Sequence, residues 1–221
     1  VRQVNQMPES LVVIPFYVEN MVLGKVTHDK AQKLVESSSD FRLQDNKLVL
    51  QCESTVEART TAVAKVMDQW RQEGIVTGWR DELYSVQSSF YEEPVFLRER
   101  AAVPHLGVLE YGVHMNGIVT NDNGQVQMWM ARRSATKSKY PGMLDHIVAG
   151  GQPAGLSLLD NAVKECMEEA GIPEEMARSG LQATGAVSYE TYSPKHDTIT
   201  RAVLFNYDLE LPTSFVPLPQ D

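Results

Sequence analysis

Apolar positions along the chain change their period several times, and each change predicts an element. "LVVIPFYV" is an almost unbroken apolar run and predicts a strand, which Pro15 confines to a sheet edge or a bend. In "FRLQDNKLVLQC", Phe41 and Leu43 alternate before Asp45-Asn46, and Leu48, Leu50 and Cys52 alternate after it, which predicts a hairpin. Val63, Val66, Met67 and Trp70 then fall at i, i+3, i+4 and i+7, the spacing of a buried helix face, and Gly74 supplies the stop. After the charged stretch "LRERAA", Pro104 and Gly107 mark a domain junction near residue 105. "YGVHMNGIVT" and "QVQMWMA" read as two more strands, joined at "NDNG" in a tight turn. No internal repeat, low-complexity tract or Gly/Ser linker interrupts the pattern, so two domains, residues 1–105 and 106–221, are expected to pack together rather than hang on a tether.

The most informative element is the helix predicted over Leu159–Ala170. Leu159, Ala162, Val163, Cys166 and Ala170 give it a buried face, Gly171 ends it, and Pro173 is expected to prevent its restart. The acids lie elsewhere on the wheel: at about 100° per residue, Glu165 and Glu169 are ~40° apart, with Glu168 ~60° from Glu165. Three like charges in little more than one turn repel one another and, near a helix C-terminus, oppose the dipole. Taken alone, the strip reads most simply as a solvated acidic face with Lys164 as partial counter-charge. Carboxylate oxygens also suit hard divalent ions such as Mg²⁺, whose waters a diphosphate can replace.

What precedes this helix favours the second reading. Between "MWMA" and the helix lies a basic run, Arg132, Arg133, Lys137 and Lys139, without an acid, followed by the Gly-rich "VAGGQPAG". Guanidinium and ammonium groups can hold phosphate, and Gly150 and Gly151 let the backbone approach a ligand or metal closely. Together with the carboxylates they predict a cradle for an anionic substrate.

The formal net charge of −9 argues against a surface adapted to nucleic acid or anionic membranes. No apolar run reaches a membrane span and the N-terminus "VRQVNQMPES" has no signal-peptide core, which makes the cytoplasm the default location, with an organelle open if a targeting peptide has been removed. Cys52 and Cys166 show no ligand spacing and are expected to be buried thiols in a reducing compartment. His105, His114, His146 and His196 likewise lack the paired spacing of a zinc site, although His196, in the polar "SPKHD", could supply a base. Trp129, Tyr189 and Tyr192 could stack on an aromatic ring, but core packing is their plainer role.

These residues resemble the Nudix hydrolases. The box of that family runs Gly, five residues, Glu, seven residues, then Arg-Glu-aliphatic-any-Glu-Glu-any-Gly-aliphatic. Here Gly150 takes the leading place, Lys164 through Ile172 read "KECMEEAGI", and Leu156 stands where the first Glu is expected. A wider resemblance, through "TGWRDELYSV", "RERAA", "YGVHMNGIV", "WMARRSATKSKYPGMLDHIVAGG" and "GAVSYE", is to the Nudix proteins whose extra N-terminal domain is related to the one fused to thiamine pyrophosphokinase in some fungi.

The resemblance implies an α/β (α+β) chain: a Nudix α/β/α sandwich with a mixed sheet, preceded by a small α+β domain. Such a sandwich usually finishes with a further strand and helix. Here the chain stops at "ELPTSFVPLPQD", so either the C-terminus is truncated or the fold closes differently. For activity it implies metal-dependent cleavage of a small-molecule diphosphate, with thiamine diphosphate or its oxidised analogues converted to the monophosphate. Mg²⁺ or Mn²⁺ would be held by Glu165, Glu168 and Glu169 with Gly150, either directly or with Glu168 as the base. Arg132, Arg133 and Lys139 would contact phosphate. Leu156 and Lys164 replace a pair that positions loop and helix, and Lys lacks the bidentate fork of Arg. The alternatives are a Nudix-like module that senses a nucleotide or diphosphate without cleaving it, and a protein-interaction role for the N-terminal half. Oligomeric state is not legible.

Overall fold

The computed structural model describes residues 4–136 and 140–218. Lys137 and Lys139 fall outside the described residues. The chain divides into two units: residues up to Glu110 together with Ser188–Ala202, and Tyr111–Val187 together with Val203 onward.

The first unit opens with β1 (Val13–Val18), β2 (Met21–Thr27), α1 (His28–Ser37), β3 (Phe41–Gln44) and β4 (Lys47–Leu50). Its four-stranded sheet has the order β2-β1-β4-β3. Of the two places expected for Pro15, an edge or a bend, the edge is excluded, since β1 is an inner strand, while the β1–β2 register shifts between Phe16 and Tyr17, next to the proline. Pro15 is tolerated because it faces only Lys25 of β2, and the parallel pairing with β4 begins one residue later, at Phe16↔Leu48. The β3–β4 turn has positive φ at both Asp45 (49°) and Asn46 (57°), the backbone that a two-residue hairpin demands.

Helix α2 (Val56–Gln72) starts where the Thr55 hydroxyl accepts the Ala58 N–H, and buries Val63, Val66, Met67 and Trp70. It packs beside the antiparallel pair β5 (Leu83–Val86) and β6 (Phe96–Glu99). Phe16 lies within reach of Phe41 and Phe96, with ring centroids 6.1 and 6.3 Å away, so the inner strand β1 knits the sheet face to β6.

The stretch read as a junction is a buried helical turn, α3 (Val103–Leu106), that belongs to this core. Pro104 sits at its start, where no N–H is required. Gly107 ends it at φ 55°, and a Cβ there would come within 1.7 Å of the Lys25 carbonyl oxygen, so only glycine lets the chain pass β2.

His105, on α3, is 7% exposed, packs edge-on to Trp70 at 5.8 Å and has no hydrogen-bond partner for Nδ1 among the described residues. Burial, reinforced by Lys30 and His196, pushes it from its ordinary 6.5 to about 4. Below pH 6.5 the unfolded chain therefore takes up a proton that the folded chain refuses. Stability present at neutral pH is lost as pH falls from about 6.5 to about 4, at up to ~1.4 kcal/mol per pH unit from this group. His105→Phe keeps a ring against Trp70 and removes the titration. Melting temperatures measured between pH 8 and 4.5 should fall less steeply for it than for the parent; parallel curves would refute the assignment.

A five-stranded sheet has the order β11-β7-β13-β12, with β8 paired on β7, and most of its residues belong to the second unit. Its strands are β7 (Leu109–Thr120), β8 (Val126–Met128), β11 (Val148–Gly151), β12 (Gln182–Ser193) and β13 (Thr198–Glu210). A two-stranded pair, β9 (Ala131–Arg132) with β10 (Leu144–Asp145), lies in the loop between β8 and β11. Two helices follow β11: α4 (Leu158–Ala170) and α5 (Glu174–Gly180). Against expectation, Pro173 does not prevent a restart; it is the N-cap of α5, a place where a missing N–H costs nothing.

Val113, Met115, Val148, Ala162, Val163, Cys166, Ala170 and Leu209 form this unit's core. Leu159, expected to be buried, is 38% exposed. The polar Asn161 is buried in its stead. Among the described residues no helix is long and apolar enough to cross a membrane.

Candidate active site

Helix α4 is fixed at both ends by local chemistry. The Ser157 hydroxyl accepts the Asp160 N–H at 3.1 Å, and Gly171, at φ 63°, returns its own N–H to Met167 O while Ile172 N–H reaches Cys166 O. The apolar face turned toward β7 and β11 leaves the carboxylates beside the end of β11. There the two elements meet closely. Gly150 has no Cβ, and the Glu165 side chain, 12% exposed, lies in that space; a Cβ would sit 2.2 Å from Glu165 Cδ. One turn further along, Glu169 Oε2 accepts the Ala149 N–H at 2.8 Å.

Lys164 folds over the same strip. Its ammonium donates to Glu165 Oε1 at 2.9 Å and to Glu168 Oε2 at 2.8 Å. Partial burial lowers its pKa, but the hydrogen bonds to Glu168 and Glu165 outweigh that and hold it above the ordinary lysine value. The ammonium marks a place where two carboxylates share one cation. Among the described residues no three His, Cys, Asp or Glu side chains converge closely enough to hold a metal ion. The donor set, all hard carboxylate oxygens, fits a hard divalent ion that would take the place of the ammonium.

Buried between these acids, the Cys166 thiol is pushed up to about 12 by burial, with Glu165 and Glu169 adding to it, and it is no nucleophile. Of the two cysteines expected to be buried thiols, Cys166 is buried and Cys52 is only half-buried.

The basic residues are held by their own loop. Arg132 Nη1 donates to Gly142 O at 2.7 Å, and Arg133 pairs with Asp145 on β10. Lys139, the third expected phosphate contact, lies outside the described residues. The histidines are arranged in a way their spacing conceals: the His114 and His146 rings meet with centroids 4.4 Å apart, tilted 43° to each other, and burial, then His146, pushes His114 down to about 4. His114 sits on β7 directly opposite Ala149. His196 is exposed in the first unit, where its carbonyl accepts from the Lys30 ammonium at 3.3 Å. Tyr192 bonds Asp197 there at 3.2 Å, and Trp129 is 36% exposed in the second unit.

Residues 110–217 match the NUDIX domain, and residues 1–110 match DUF4743, a domain of unknown function. The chain carries a Nudix domain. It is 45% identical to Nudix hydrolase 20, chloroplastic, of Arabidopsis thaliana over 94% of this chain and 57% of the relative. With Nudix hydrolase 24, chloroplastic, of the same plant it shares 43% over the same two fractions. The chain thus spans a little over half the length of these curated relatives. The likeness to solved structures is loose: a MutT protein from Methanosarcina mazei Go1 gives a TM-score of 0.38 at 18% identity, over 51% of this chain and 70% of that one.

Within the Nudix box, Leu156 is 40% exposed and has no carboxylate to offer. Sequence reasoning missed what occupies the neighbourhood instead. Asn161, with no exposed surface, donates from Nδ2 to Gly151 O at 2.8 Å and to Gln152 Oε1 at 3.1 Å; Gln152 Nε2 donates to Leu156 O at 2.8 Å. The available signal was a lone amide just before the apolar pair Ala162 and Val163 and four residues before Glu165, on the same helix face.

Proposed function

We propose that this Nudix protein hydrolyses the diphosphate linkage of a small-molecule substrate with a divalent metal ion, Mg²⁺ or Mn²⁺. The observation that carries this reading is the convergence of Glu165 and Glu169 on consecutive residues of β11, with a single ammonium shared between Glu165 and Glu168. Glu165 and Glu169 would be the principal ligands, beside the Gly150 backbone. Glu168, 59% exposed, would be a further ligand or would take the proton of the attacking water. When bound, the metal neutralises the diphosphate and lowers the pKa of the attacking water. Arg132, Arg133 and Lys139 would orient the phosphates from the loop between β8 and β11, which limits the directions from which water can attack.

The finer reading is that the substrate is thiamine diphosphate or an oxidised analogue, converted to the monophosphate; its support is the motif resemblance running through both domains. The chloroplast address in the names of two relatives supports an organelle as the place of action. A second reading, a module that binds a diphosphate without cleaving it, is favoured by one observation, the Lys164 ammonium bridging Glu165 and Glu168, two of the proposed metal-site carboxylates.

Chromatographic analysis of the products from thiamine diphosphate, oxidised thiamine diphosphates, nucleoside triphosphates, ADP-ribose, NADH and coenzyme A, each with Mg²⁺ or Mn²⁺, tests these readings: a thiamine diphosphate gives the monophosphate and phosphate, whereas ADP-ribose, NADH and coenzyme A each give two phosphate monoesters. Turnover of a thiamine diphosphate is the expected result. Preference for a nucleotide would defeat the thiamine assignment and leave the hydrolase. Binding without any turnover would establish the second reading.

A further inference from the structure

Three contacts between α4 and β11 form a ladder. Asn161, Glu165 and Glu169 are spaced i, i+4, i+8 and therefore share one helix face. They meet Gly151, Gly150 and Ala149 in that order: Asn161 Nδ2 on the Gly151 carbonyl, the Glu165 side chain over the missing Cβ of Gly150, and Glu169 Oε2 on the Ala149 N–H. Two rungs are the carboxylates of the site. The third is a neutral amide with no exposed surface.

We infer that Asn161, locked by Gln152, is the positioning residue that sets the register of Glu165 and Glu169 against β11, the task for which the family's Glu at position 156 is missing here. This rests on the metal-dependent reading above. The orientation of the Asn161 amide is not free: turning it over would place its oxygen against both the Gly151 carbonyl and Gln152 Oε1, an arrangement without a donor. Gln152 is fixed in turn, since its Nε2 faces the Leu156 and Pro153 carbonyls at 2.8 and 3.4 Å and its backbone N–H bonds Tyr111 O on β7. The network ties strand, loop and helix into one unit. Position 156 contributes only its backbone carbonyl, which is why an exposed leucine can stand there. A neutral device also adds no fourth negative charge to a face that already holds three.

The test uses three variants of the full chain: Asn161→Ala, Asn161→Asp, which has no donor for Gly151, and Gln152→Glu, which keeps the acceptor for Asn161 but loses the donor to Leu156. Mn²⁺ affinity, read from the electron paramagnetic resonance signal of free Mn²⁺, needs no turnover. It is expected to fall about 10- to 100-fold in each variant, the usual consequence of removing a group that orients metal ligands. Turnover with the substrate found above should fall in kcat, with KM nearly unchanged because the phosphate-binding loop is untouched. Circular dichroism identifies any variant that fails to fold, and Gln152→Glu, altered at the loop rather than inside the helix, carries the test if the Asn161 variants do. Folded variants with parental Mn²⁺ affinity and parental kcat would overturn the positioning role alone. A parent protein that binds no Mn²⁺ would overturn the metal-dependent reading, and this inference with it.

Discussion

Replacing Glu165 or Glu169 by Gln should lower turnover on the order of 10²- to 10³-fold while leaving the fold intact. Glutamine has nearly the shape of glutamate, and at position 169 its side-chain carbonyl can still accept the Ala149 N–H, so the bond to β11 survives. What is lost is a negative charge on a divalent ion. Stabilisation of this kind is worth several kcal/mol, and each 1.36 kcal/mol is about tenfold in rate. Because the charge acts in the metal-bound ground state as well as in the transition state, Mn²⁺ affinity should fall together with kcat. Glu168→Gln separates the two roles open to that residue: as a ligand it lowers affinity, as a base it lowers kcat alone. Turnover, Mn²⁺ titration and circular dichroism on the three proteins decide the matter. Full activity in both Glu165→Gln and Glu169→Gln would remove the carboxylate strip from the chemistry.

Periodicity exposed the elements whose causes are local. The Asp45-Asn46 hairpin, α2 and the limits of α4 depend on turn residues, helix spacing and caps within a few positions of one another, and all are readable in one dimension. Pro15 shows the limit: whether a strand is an edge depends on which strand joins it and from which residue, and the parallel pairing with β4 starting at Phe16 is a long-range fact. Pro173 was misread because the same missing N–H that ends one helix is harmless at the start of the next. The acidic strip itself was legible from wheel angles. Its neighbours were not. Glu165 over Gly150, Glu169 on Ala149 and Asn161 on Gly151 are pairings of a helix with a strand, and the tilted contact of His114 with His146 joins a strand to a loop residue that no spacing rule connects to it. Lys164, read as a partial counter-charge for a solvated face, spans two carboxylates of which only one, Glu168, is exposed; the other, Glu165, is largely covered.

Gly150→Ala should cost about 10- to 100-fold in Mn²⁺ affinity with little change in melting temperature. The backbone of Gly150 is not in the left-handed region and pairs with Val113 in the β7–β11 ladder, so alanine fits the strand without strain. The added methyl would lie 2.2 Å from Glu165 Cδ and 2.4 Å from Cγ, distances no real contact allows. Of the two partners the strand is held by its ladder and the side chain is the one that can move, so the carboxylate is displaced and the cost falls on metal binding rather than folding. The mechanism is tested by a double-mutant cycle. If the methyl acts only by displacing the Glu165 carboxylate, Gly150→Ala should add almost nothing in a Glu165→Gln background, where the charge it displaces is already gone. An equal penalty in both backgrounds would mean that the methyl harms the site by another route, through the β11 backbone itself, and that the close approach of Glu165 to Gly150 is incidental to metal binding.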